Sequence, residues 1–279
     1  MGDQKIVLVT GCAKGGIGYE YCKAFAEQNC HVFATDIPSR IHELLDLPSE
    51  NVESLELDVT SDESVKSAIE TVIAKCGKID FLINNAGIGS TGPLAELPLE
   101  VVRKAWEVNT LGQLRMVQHV VPYMASKHSG RIVNIGSVVG RVPTPWGGSY
   151  CATKAAVHAM SDVLRVELKP FGIEVIVVVP GAIRSNLGRA NIEKLKDLDW
   201  KLYKDFKEDI IKRGNASQTS KATDATVFAR HVVKKVLSSR PPKHIVFGHM
   251  TGLFALLSWS PLWVKDLFFS RLSNLNKKL

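Results

Sequence analysis

A tyrosine and a lysine four residues apart, Tyr150 and Lys154, are the side chains in this sequence best suited to proton transfer. If the segment around them is a helix, they stand one turn apart on the same face. A free phenol has a pKa of about 10, and a neighbouring ammonium group favours its ionised form. The pair can therefore act as an acid or a base near neutral pH.

The spacing alone identifies nothing, because Tyr19, Tyr123 and Tyr203 also have a lysine four residues later. What distinguishes Tyr150 is Ser137, which lies thirteen residues upstream and follows a predicted strand. None of the residues at this offset before the other three tyrosines follows a strand. A hydroxyl beside the phenol can bind a substrate oxygen while the phenol gives or takes its proton. Tyr150 is therefore the candidate acid/base.

Apolar runs that read as strands alternate with helical segments along most of the chain. The predicted strands are Ile6–Thr10, His31–Thr35, Val52–Leu57, Ile79–Ile83, Arg131–Ile135, Glu174–Val179 and His244–Phe247. The predicted helices are Gly16–Asn29, Ser39–Leu47, a helix opened by a Thr60/Glu63 capping box and ending at Cys76, Leu99–Ser126 with a break near Pro122, Ser149–Phe171 and Thr223–Ser239. Continuous apolar strands are typical of parallel sheets that helices cover on both faces. The alternation predicts an α/β fold with a doubly wound parallel sheet, the Rossmann fold.

A glycine-rich turn, Thr10–Gly18, joins the first predicted strand to the first predicted helix. Glycines let the backbone approach a pyrophosphate, and the helix N-terminus offers N–H groups with a partial positive charge. A turn of this kind can also be a plain tight turn, so the pattern alone leaves both interpretations open.

Asp36, at the end of the second predicted strand, favours a dinucleotide. A carboxylate there can accept both ribose hydroxyls of an adenosine, and it would repel a 2′-phosphate. Lys14 and Arg40 could instead pair with that phosphate. We give more weight to Asp36, because repulsion at hydrogen-bond range discriminates more sharply than flexible cations. We therefore expect NAD in preference to NADP.

Taken together, these residues resemble the short-chain dehydrogenase/reductase family. The markers, in order, are Thr10-Gly11, Gly16-Ile17-Gly18, Asp58, Asn84-Asn85-Ala86-Gly87, Asn109, Ser137, Tyr150, Lys154 and Pro180-Gly181. One departure is the loop, which has four residues between Gly11 and Gly16 where the family usually has three. It leaves open whether Gly15 or Gly16 approaches the phosphates. Gly-Gly-Ile-Gly-Tyr-Glu, Lys-Ala-Ala-Val-His and Glu-Leu-Lys-Pro-Phe-Gly are most similar to the 1-acyldihydroxyacetone-phosphate reductase-like branch, which includes plant members.

The resemblance implies a role for each marker. Tyr150 is the acid/base, Ser137 holds the substrate oxygen, Lys154 also binds the nicotinamide ribose, and Asn109 holds a water that connects Lys154 to solvent. We expect Lys154 and the oxidised nicotinamide to lower the pKa of Tyr150 by ~3 units. The implied cofactor residues are Gly11, Lys14, Gly16, Ile17, Gly18, Asp36, Asp58, Val59, Asn85, Ala86, Gly87, Tyr150, Lys154, Pro180, Gly181, Ile183 and Ser185. The implied substrate residues are Ser137, Val139, Trp146 and Tyr150.

A basic, helical insertion at about 188–213 follows the sixth predicted strand, and the resemblance implies that it is a mobile lid that selects the substrate. Val138–Gly148 should form one wall of the pocket. Trp200 and Tyr203 are either anchors of the lid or ordinary core residues. We assign residues 1–248 to the catalytic domain, including this lid, and 249–279 to a C-terminal extension.

The extension is rich in large apolar residues over Met250–Phe269, but a proline and two charged residues interrupt them. We therefore do not predict a membrane-spanning helix, which needs about 20 apolar residues. Two interpretations stay open. The extension lies in a membrane or lipid-droplet surface, with Arg271, Lys277 and Lys278 at the headgroups, or it folds back over the pocket or a partner subunit.

The net charge of +7 is unevenly distributed. Residues 1–189 have 18 Lys and Arg against 20 Asp and Glu, whereas residues 190–279 have 17 against 8, a balance of +9. No nucleic-acid-binding motif accompanies this charge, so an anionic substrate or a membrane surface is the better interpretation. The five scattered cysteines and the absence of a secretory signal indicate a reducing, cytoplasmic location, with association with endoplasmic reticulum or lipid droplets left open. We expect no metal site.

The sequence thus predicts an oxidoreductase that transfers a hydride between a nicotinamide cofactor and a small hydrophobic ketone or secondary alcohol. Two alternatives are a 1-acyldihydroxyacetone-phosphate reductase that uses NADPH and a non-catalytic, nucleotide-binding lipid-droplet protein. Pairing of the long helices Leu99–Val121 and Ser149–Phe171 with their copies would give a homodimer.

Overall fold

A seven-stranded parallel sheet forms the centre of the protein, for which a computed structural model describes residues 4–48, 50–196 and 198–276. The described residues form nine strands, of which seven make this sheet. They are β1 (Ile6–Thr10), β2 (His31–Asp36), β3 (Val52–Glu56), β4 (Phe81–Asn84), β5 (Gly130–Ile135), β6 (Ile173–Pro180), β7 (Ile183–Arg184), β8 (Thr223–Asp224) and β9 (His244–Phe247). The order across the sheet is β3-β2-β1-β4-β5-β6-β9, and β7 and β8 form a separate short pair. This is the predicted doubly wound α/β fold.

The strand order reverses at β1, which pairs with β2 on one side and with β4 on the other. In open α/β sheets, ligands bind beyond the carboxyl ends of the strands at such a switch point. The loops that follow β1 and β4 carry the glycine-rich turn and Asn85, so the topology brings these two predicted segments to one crevice.

Ten α-helices of the described residues cover the sheet or extend from it. They are α1 (Ile17–Ala26), α2 (Asp62–Cys76), α3 (Leu99–Trp106), α4 (Gly112–Ser126), α5 (Gly148–Glu167), α6 (Asn186–Lys196), α7 (Lys207–Gly214), α8 (Ala225–Val236), α9 (Thr251–Trp259) and α10 (Leu262–Leu272). Short 3₁₀ turns occur at Pro38–Leu44, Val138–Gly140, Lys169–Phe171 and Lys204–Phe206.

Alternate residues of the strands pack into two apolar layers, one on each face of the sheet. Val7 and Val9 of β1 share a cluster with Phe25 of α1 and Phe228 of α8. Leu8, between them in the sequence, shares the other cluster with Ile69 of α2. Burial on both faces is the physical reason that the strands are continuous apolar runs.

Several predicted boundaries differ from the structure. The cap of α2 is Ser61, whose Oγ accepts from the Ser64 N–H, whereas Thr60 instead donates to Asp58. The long helix is not broken at Pro122, which lies inside α4. It is interrupted by a π-helical turn at Glu107–Leu111. This wider turn contains Asn109.

The predicted lid region contains α6, α7 and the turn at Lys204–Phe206 between them. The C-terminal region contains α9 and α10, which contribute Phe254, Leu257 and Phe269 to a cluster with Val138. No helix among the described residues is long and apolar enough to cross a membrane. The domain division at residue 248 stays a prediction.

Candidate active site

The first turns of α5 position Tyr150 and Lys154 on one face of the helix, as their spacing predicts. The Lys154 Nζ donates to the Ile135 carbonyl oxygen at 2.8 Å and lies 5.7 Å from the centroid of the Tyr150 ring. Only 3% of Lys154 is exposed. The ammonium group is therefore fixed between the end of β5 and the phenol.

Ser137 lies two residues beyond β5, where its extended backbone precedes the turn Val138–Gly140. Its Oγ accepts from the Val139 N–H at 3.4 Å, which caps this turn. Its hydroxyl also lowers the pKa of Tyr150 through a side-chain hydrogen bond. The structure therefore brings Ser137, which follows β5, next to Tyr150 and Lys154 of α5.

The protein alone does not lower the pKa of Tyr150, and the lowering expected when the oxidised nicotinamide is bound stays a prediction. Burial and the charge of Cys151 raise the pKa of Tyr150 to about 12, against the lowering effects of Arg213 and Ser137. Burial also lowers the pKa of Lys154 to about 8. Removal of both groups from water favours their neutral forms, and this outweighs the attraction that we expected between them.

His158 is a component of this site that the sequence analysis missed. Its Nε2 accepts from the Ser137 N–H at 3.2 Å. A Cβ on Gly136 would lie 2.1 Å from this nitrogen, so the glycine makes room for the contact. Burial, followed by the charges of Arg141 and Lys154, lowers the pKa of His158 to about 4, so the imidazole is neutral and Nε2 can accept.

The sequence does contain a signal for His158, because it follows Lys154 by the same four residues that separate Lys154 from Tyr150. Tyr150, Lys154 and His158 lie at successive turns of α5. The last two bind the segment that carries Ser137, because Lys154 holds the Ile135 carbonyl and His158 holds the Ser137 N–H. The face of α5 thus positions its own catalytic candidates and also the strand end opposite them.

Asn109 links the loop after β4 to α5. Its Oδ1 accepts from the Ile88 N–H at 2.8 Å, and its Nδ2 donates to the Ile88 carbonyl at 3.0 Å and to Thr153 Oγ1 at 3.1 Å. The side chain is fully buried. These bonds fix the Asn109 side chain between Ile88 and Thr153, the residue before Lys154. Its implied role in holding a water stays a prediction.

The loops after β1 and β4 are joined by polar side chains. Asn85 Nδ2 donates to the Thr10 and Gly11 carbonyls, both at 2.9 Å. Thr10 Oγ1 accepts from the N–H groups of Asn85 and Ala86. A Cβ on Gly18 would lie 2.3 Å from the Gly11 carbonyl, so this glycine is needed for close packing of the loop.

The N-terminus of α1 fits a pyrophosphate. Its N-cap is Gly16, which makes no side-chain cap hydrogen bond, so the orphan N–H groups of the first turn are not used by a cap. Gly15 has a φ of +78°, and its carbonyl accepts from the Asn186 N–H at 2.9 Å. Gly15 thus contacts the N-terminus of α6, and Gly16 is the glycine at the N-terminus of α1.

Asp36, which we expected to accept the ribose hydroxyls of an adenosine, is itself hydrogen-bonded to the glycine-rich loop. Its Oδ2 accepts from the Ala13 N–H at 2.7 Å and its Oδ1 from the Ile37 N–H at 2.9 Å. Only 8% of Asp36 is exposed, and burial raises the pKa of this carboxyl group. Arg40 pairs with Glu43 at 2.8 Å. The carboxylate therefore anchors the glycine-rich loop through one oxygen.

The other predicted cofactor residues lie at the carboxyl ends of strands β3, β4 and β6 or in the segments that follow them. Asp58 Oδ1 accepts from Thr60 at 2.9 Å, which is the turn-capping role, and the Val59 carbonyl accepts from Arg115. Gly87 lies beside Lys154, since a Cβ there would be 3.8 Å from Nζ. Pro180 is the buried last residue of β6, and Gly181, Ile183 and Ser185 follow it, with Ile183 buried in β7.

The two apolar residues among the predicted substrate residues, Val139 and Trp146, belong to different apolar clusters. Val139 packs with Tyr150 and with Phe254 of α9. Trp146 packs with Trp200 and Tyr203 of the lid region, with 5.4 Å between the ring centroids of Trp146 and Tyr203. The two lid aromatics therefore attach the lid to the segment that leads into α5.

Known proteins share this architecture and sequence. A family model described as short chain dehydrogenase matches residues 5–196. The short-chain dehydrogenase virD of Hypocrea virens is 34% identical over 281 residues, which cover 99% of this chain and 94% of that protein. The NADPH-dependent 1-acyldihydroxyacetone phosphate reductase of Saccharomyces cerevisiae is 28% identical over 98% of this chain and 93% of its own length.

Among solved structures, a short-chain dehydrogenase from Streptomyces avermitilis aligns with a TM-score of 0.82 at 26% identity, covering 100% of both chains. Sequence and fold agree over the whole length that contains the sheet, the glycine-rich turn and the residues around Tyr150. The chain belongs to the short-chain dehydrogenase/reductase family of NAD(P)-dependent oxidoreductases.

Proposed function

We propose that this enzyme reduces the carbonyl group of a hydrophobic ketone to a secondary alcohol. The observation that carries the proposal is the position of Tyr150, whose ring packs in an apolar cluster with Val138, Val139 and Phe254 while Ser137 lies beside its hydroxyl. A reacting carbonyl would thus meet polar groups at its oxygen, and its apolar substituents would meet the cluster.

In this proposal the reduced nicotinamide supplies the hydride to the carbonyl carbon. The Tyr150 hydroxyl gives its proton to the carbonyl oxygen, and the Ser137 hydroxyl donates a hydrogen bond to that oxygen. A pKa of about 12 keeps the proton on Tyr150 at neutral pH, which suits the reductive direction. Lys154 orients the phenol and holds the end of β5, and Asn109 fixes the loop beside it.

We propose NADP(H) as the cofactor, in place of the NAD expected from the sequence. Both oxygens of Asp36 already accept backbone N–H groups, which reduces the capacity of this carboxylate for ribose hydroxyls. Lys14 lies in the glycine-rich loop and Arg40 in the turn after β2, and at these partly exposed positions they pair with Asp46 and Glu43, respectively. The yeast relative is described as NADPH-dependent, which supports the same choice.

Titration of the protein with NADP⁺ and NAD⁺ tests this cofactor. We expect Arg40→Met to weaken NADP⁺ binding by roughly 10-fold, because a charge-assisted hydrogen bond to the 2′-phosphate is lost, and to leave NAD⁺ binding unchanged. Arg103→Met, at an exposed position of α3, is the matched control. A wild-type preference for NAD⁺, unaltered by Arg40→Met, would contradict the choice.

A panel of ketones with both cofactors tests the reaction itself. It should contain steroid, terpenoid and acyl-dihydroxyacetone-phosphate carbonyls, because the apolar cluster accepts each class and the yeast relative supports the last as a second candidate. We expect NADPH-dependent reduction of at least one class. Tight NADPH binding with no turnover of any class would favour the non-catalytic alternative.

We propose that the extension docks on an anionic phospholipid surface. Trp259, the last residue of α9, is 90% exposed, and Trp263, in the first turn of α10, is 67% exposed. Leu256 and Leu262 are each 71% exposed. Aromatic side chains of this kind favour a membrane interface. Arg271 lies in the last turn of α10, whereas Lys277 and Lys278 lie outside the described residues.

Flotation with phosphatidylcholine vesicles, with and without phosphatidylserine, tests this docking. We expect the wild type to float with the anionic vesicles and the double variant Trp259→Ser/Trp263→Ser to remain unbound. Leu45→Ser changes an equally exposed apolar residue elsewhere and should have no effect. If the variant floats as the wild type does, or if it converts a dimer into a monomer, the patch is not a lipid surface.

We also propose a homodimer that pairs α4 and α5 with their copies. Val163 and Val166 of α5 are 54% and 63% exposed, which leaves an apolar stripe on the outer face of this helix. Val166→Asp should give a monomer by light scattering. A wild-type monomer at micromolar concentration would contradict this assembly.

A further inference from the structure

Arg213, in the last turn of α7, reaches from the lid region to the segment that leads into α5. Its Nε donates to Thr144 Oγ1 at 3.0 Å. A Cβ on Gly147 would lie 3.0 Å from the Arg213 Nη2, so the guanidinium group lies directly against this glycine, three residues before Tyr150. A lid residue thus contributes a cation to the immediate surroundings of the acid/base.

The charge of Arg213 acts on the reaction centre, because it lowers the pKa of Tyr150. Among residues 4–48, 50–196 and 198–276, no acidic side chain forms an ion pair with it. Asp209, one turn earlier on α7, instead accepts from Asn274 at 2.7 Å. Other partly buried arginines of the chain do have such partners, as Arg131 has in Glu174.

Within the part of the chain that the structure describes, the guanidinium group of Arg213 uses little of its hydrogen-bonding capacity. An arginine has five N–H donors, of which the Nε–H of Arg213 binds Thr144. The donors on its two Nη atoms form the planar fork that matches a carboxylate or a phosphate. A partly buried, unpaired arginine beside a reaction centre is suited to an anion that arrives with the substrate.

The apolar residues around Tyr150 come from a different part of the chain. Val139 and Val142 follow β5, and Phe254 and Leu257 come from α9. Tyr150 therefore lies between an apolar cluster and an arginine that pairs with no acidic side chain of residues 4–48, 50–196 and 198–276. A wholly apolar ketone would use the cluster alone and would leave the positive charge of Arg213 unmatched.

We propose that Arg213 binds an anionic group, a phosphate monoester or a carboxylate, on an amphiphilic ketone substrate. The apolar part of the substrate lies along the cluster of Val139, Val142, Phe254 and Leu257. The ketone lies between these two ends, at Tyr150 and Ser137. This inference rests on the proposed ketone reduction, and it selects charged, amphiphilic ketones over neutral steroids and terpenoids.

Matched pairs of substrates test the site in the full-length enzyme with NADPH. One pair is 1-acyldihydroxyacetone phosphate and its dephosphorylated form, and the other is a long-chain keto acid and its methyl ester. We expect the wild type to prefer the anionic member of at least one pair, and the preferred pair distinguishes phosphate from carboxylate. Arg213→Met should raise the KM for that anionic member by roughly 10- to 100-fold and leave the KM for its neutral partner unchanged.

Two further variants separate recognition of the anion from an effect on folding. Arg213→Lys keeps the charge but loses the planar fork, so it should recover part of the preference. Lys212→Met removes a charge from an exposed neighbour on α7 and should preserve the preference. A loss of preference in Lys212→Met equal to that in Arg213→Met would overturn the site, since only the general charge of the lid would then matter.

The outcomes also distinguish this inference from the proposed function. If neutral and anionic ketones are reduced equally well, and Arg213→Met alters both alike, the anion site is wrong while the ketone reduction stands. If no ketone of either kind is reduced with either cofactor, the proposed function is wrong and the anion site falls with it.

Discussion

The two sides of the crevice at the carboxyl edge of the sheet use their polar groups in opposite ways. On the nucleotide side, Asn85, Thr10 and Asp36 direct their polar atoms into backbone groups of neighbouring loops. On the substrate side, apolar side chains surround Tyr150, and Arg213 has no acidic partner among the described residues. The side chains of the nucleotide side are fixed by bonds to the backbone, whereas on the substrate side a charged side chain has capacity for a ligand.

This difference explains how one fold can serve many substrates. Changing a buried residue such as Asp36 leaves backbone N–H groups unsatisfied, so the nucleotide side tolerates little variation. A change at Arg213 or in α9 alters the chemistry of the substrate wall without removing a support of the sheet. Substrate choice can therefore diverge while the cofactor site keeps its geometry.

A large effect should come from Lys154, which holds the end of β5 and lies beside the Tyr150 ring. Lys154→Met removes the bond to the Ile135 carbonyl and the charge beside the phenol. We expect kcat to fall by ~10²–10⁴-fold, as for the loss of a group that supports acid–base catalysis. Lys127→Met, which alters a lysine with the same spacing from Tyr123, is the control. Equal kcat values for the two variants would place Lys154 outside the reaction.

A second prediction concerns the pH dependence that His158 gives to folding. Its pKa is about 4 in the folded protein and 6.5 ordinarily, so between these values the unfolded chain binds more protons. Stability conferred at this position is thus fully present above pH 6.5 and falls as the pH falls towards 4. At about 1.4 kcal/mol per pKa unit, the loss approaches about 3 kcal/mol.

Urea unfolding of wild type and His158→Gln at neutral and acidic pH measures this effect. The variant has no imidazole to titrate, so the free energy of unfolding should depend less steeply on pH in the variant than in the wild type. Parallel pH profiles for the two proteins would mean that His158 is not buried in its neutral form. The amide oxygen of the glutamine in His158→Gln can still accept from the Ser137 N–H, which limits the loss of stability at neutral pH.

The sequence predicted the fold and the grouping of Ser137, Tyr150 and Lys154 because these depend on local patterns. Apolar runs predict the strands, and the thirteen-residue offset from Ser137, after a strand, to Tyr150, in a helix, can be read from the sequence alone. The role of Asp36 could not be predicted in this way. Its bond to the Ala13 N–H depends on the path of the loop, which has one residue more than usual.

His158 was missed for a different reason. Its helical spacing from Lys154 is visible in the sequence, but its function depends on the absence of a side chain at Gly136 and on the distance from α5 to the end of β5. The sequence analysis named Arg213 only as the last residue of the predicted lid and assigned it no role in the site. Its contact with Gly147 joins segments more than sixty residues apart, which no local pattern encodes.

The smallest predicted effect is at Asn186, where the two sides of the crevice meet. Its main-chain N–H binds Gly15, and its side chain donates to the Lys14 carbonyl, so α6 is attached to the glycine-rich loop. Asn186→Ala removes one partly exposed hydrogen bond and should speed NADPH release by roughly 5-fold. Stopped-flow fluorescence measures this rate, with Glu193→Ala on the same helix as the control. An unchanged rate would show that the two sides act independently.

The central claim is that Tyr150 gives the proton in ketone reduction, and the steady-state rate of Tyr150→Phe tests it most directly. Tyr123→Phe is the control, because it removes a phenol with the same lysine spacing at a position outside the crevice. With NADPH and an accepted ketone, we predict that kcat falls by ~10²–10⁴-fold in Tyr150→Phe, with NADPH affinity retained, and is unchanged in Tyr123→Phe. Wild-type turnover by Tyr150→Phe would contradict the account.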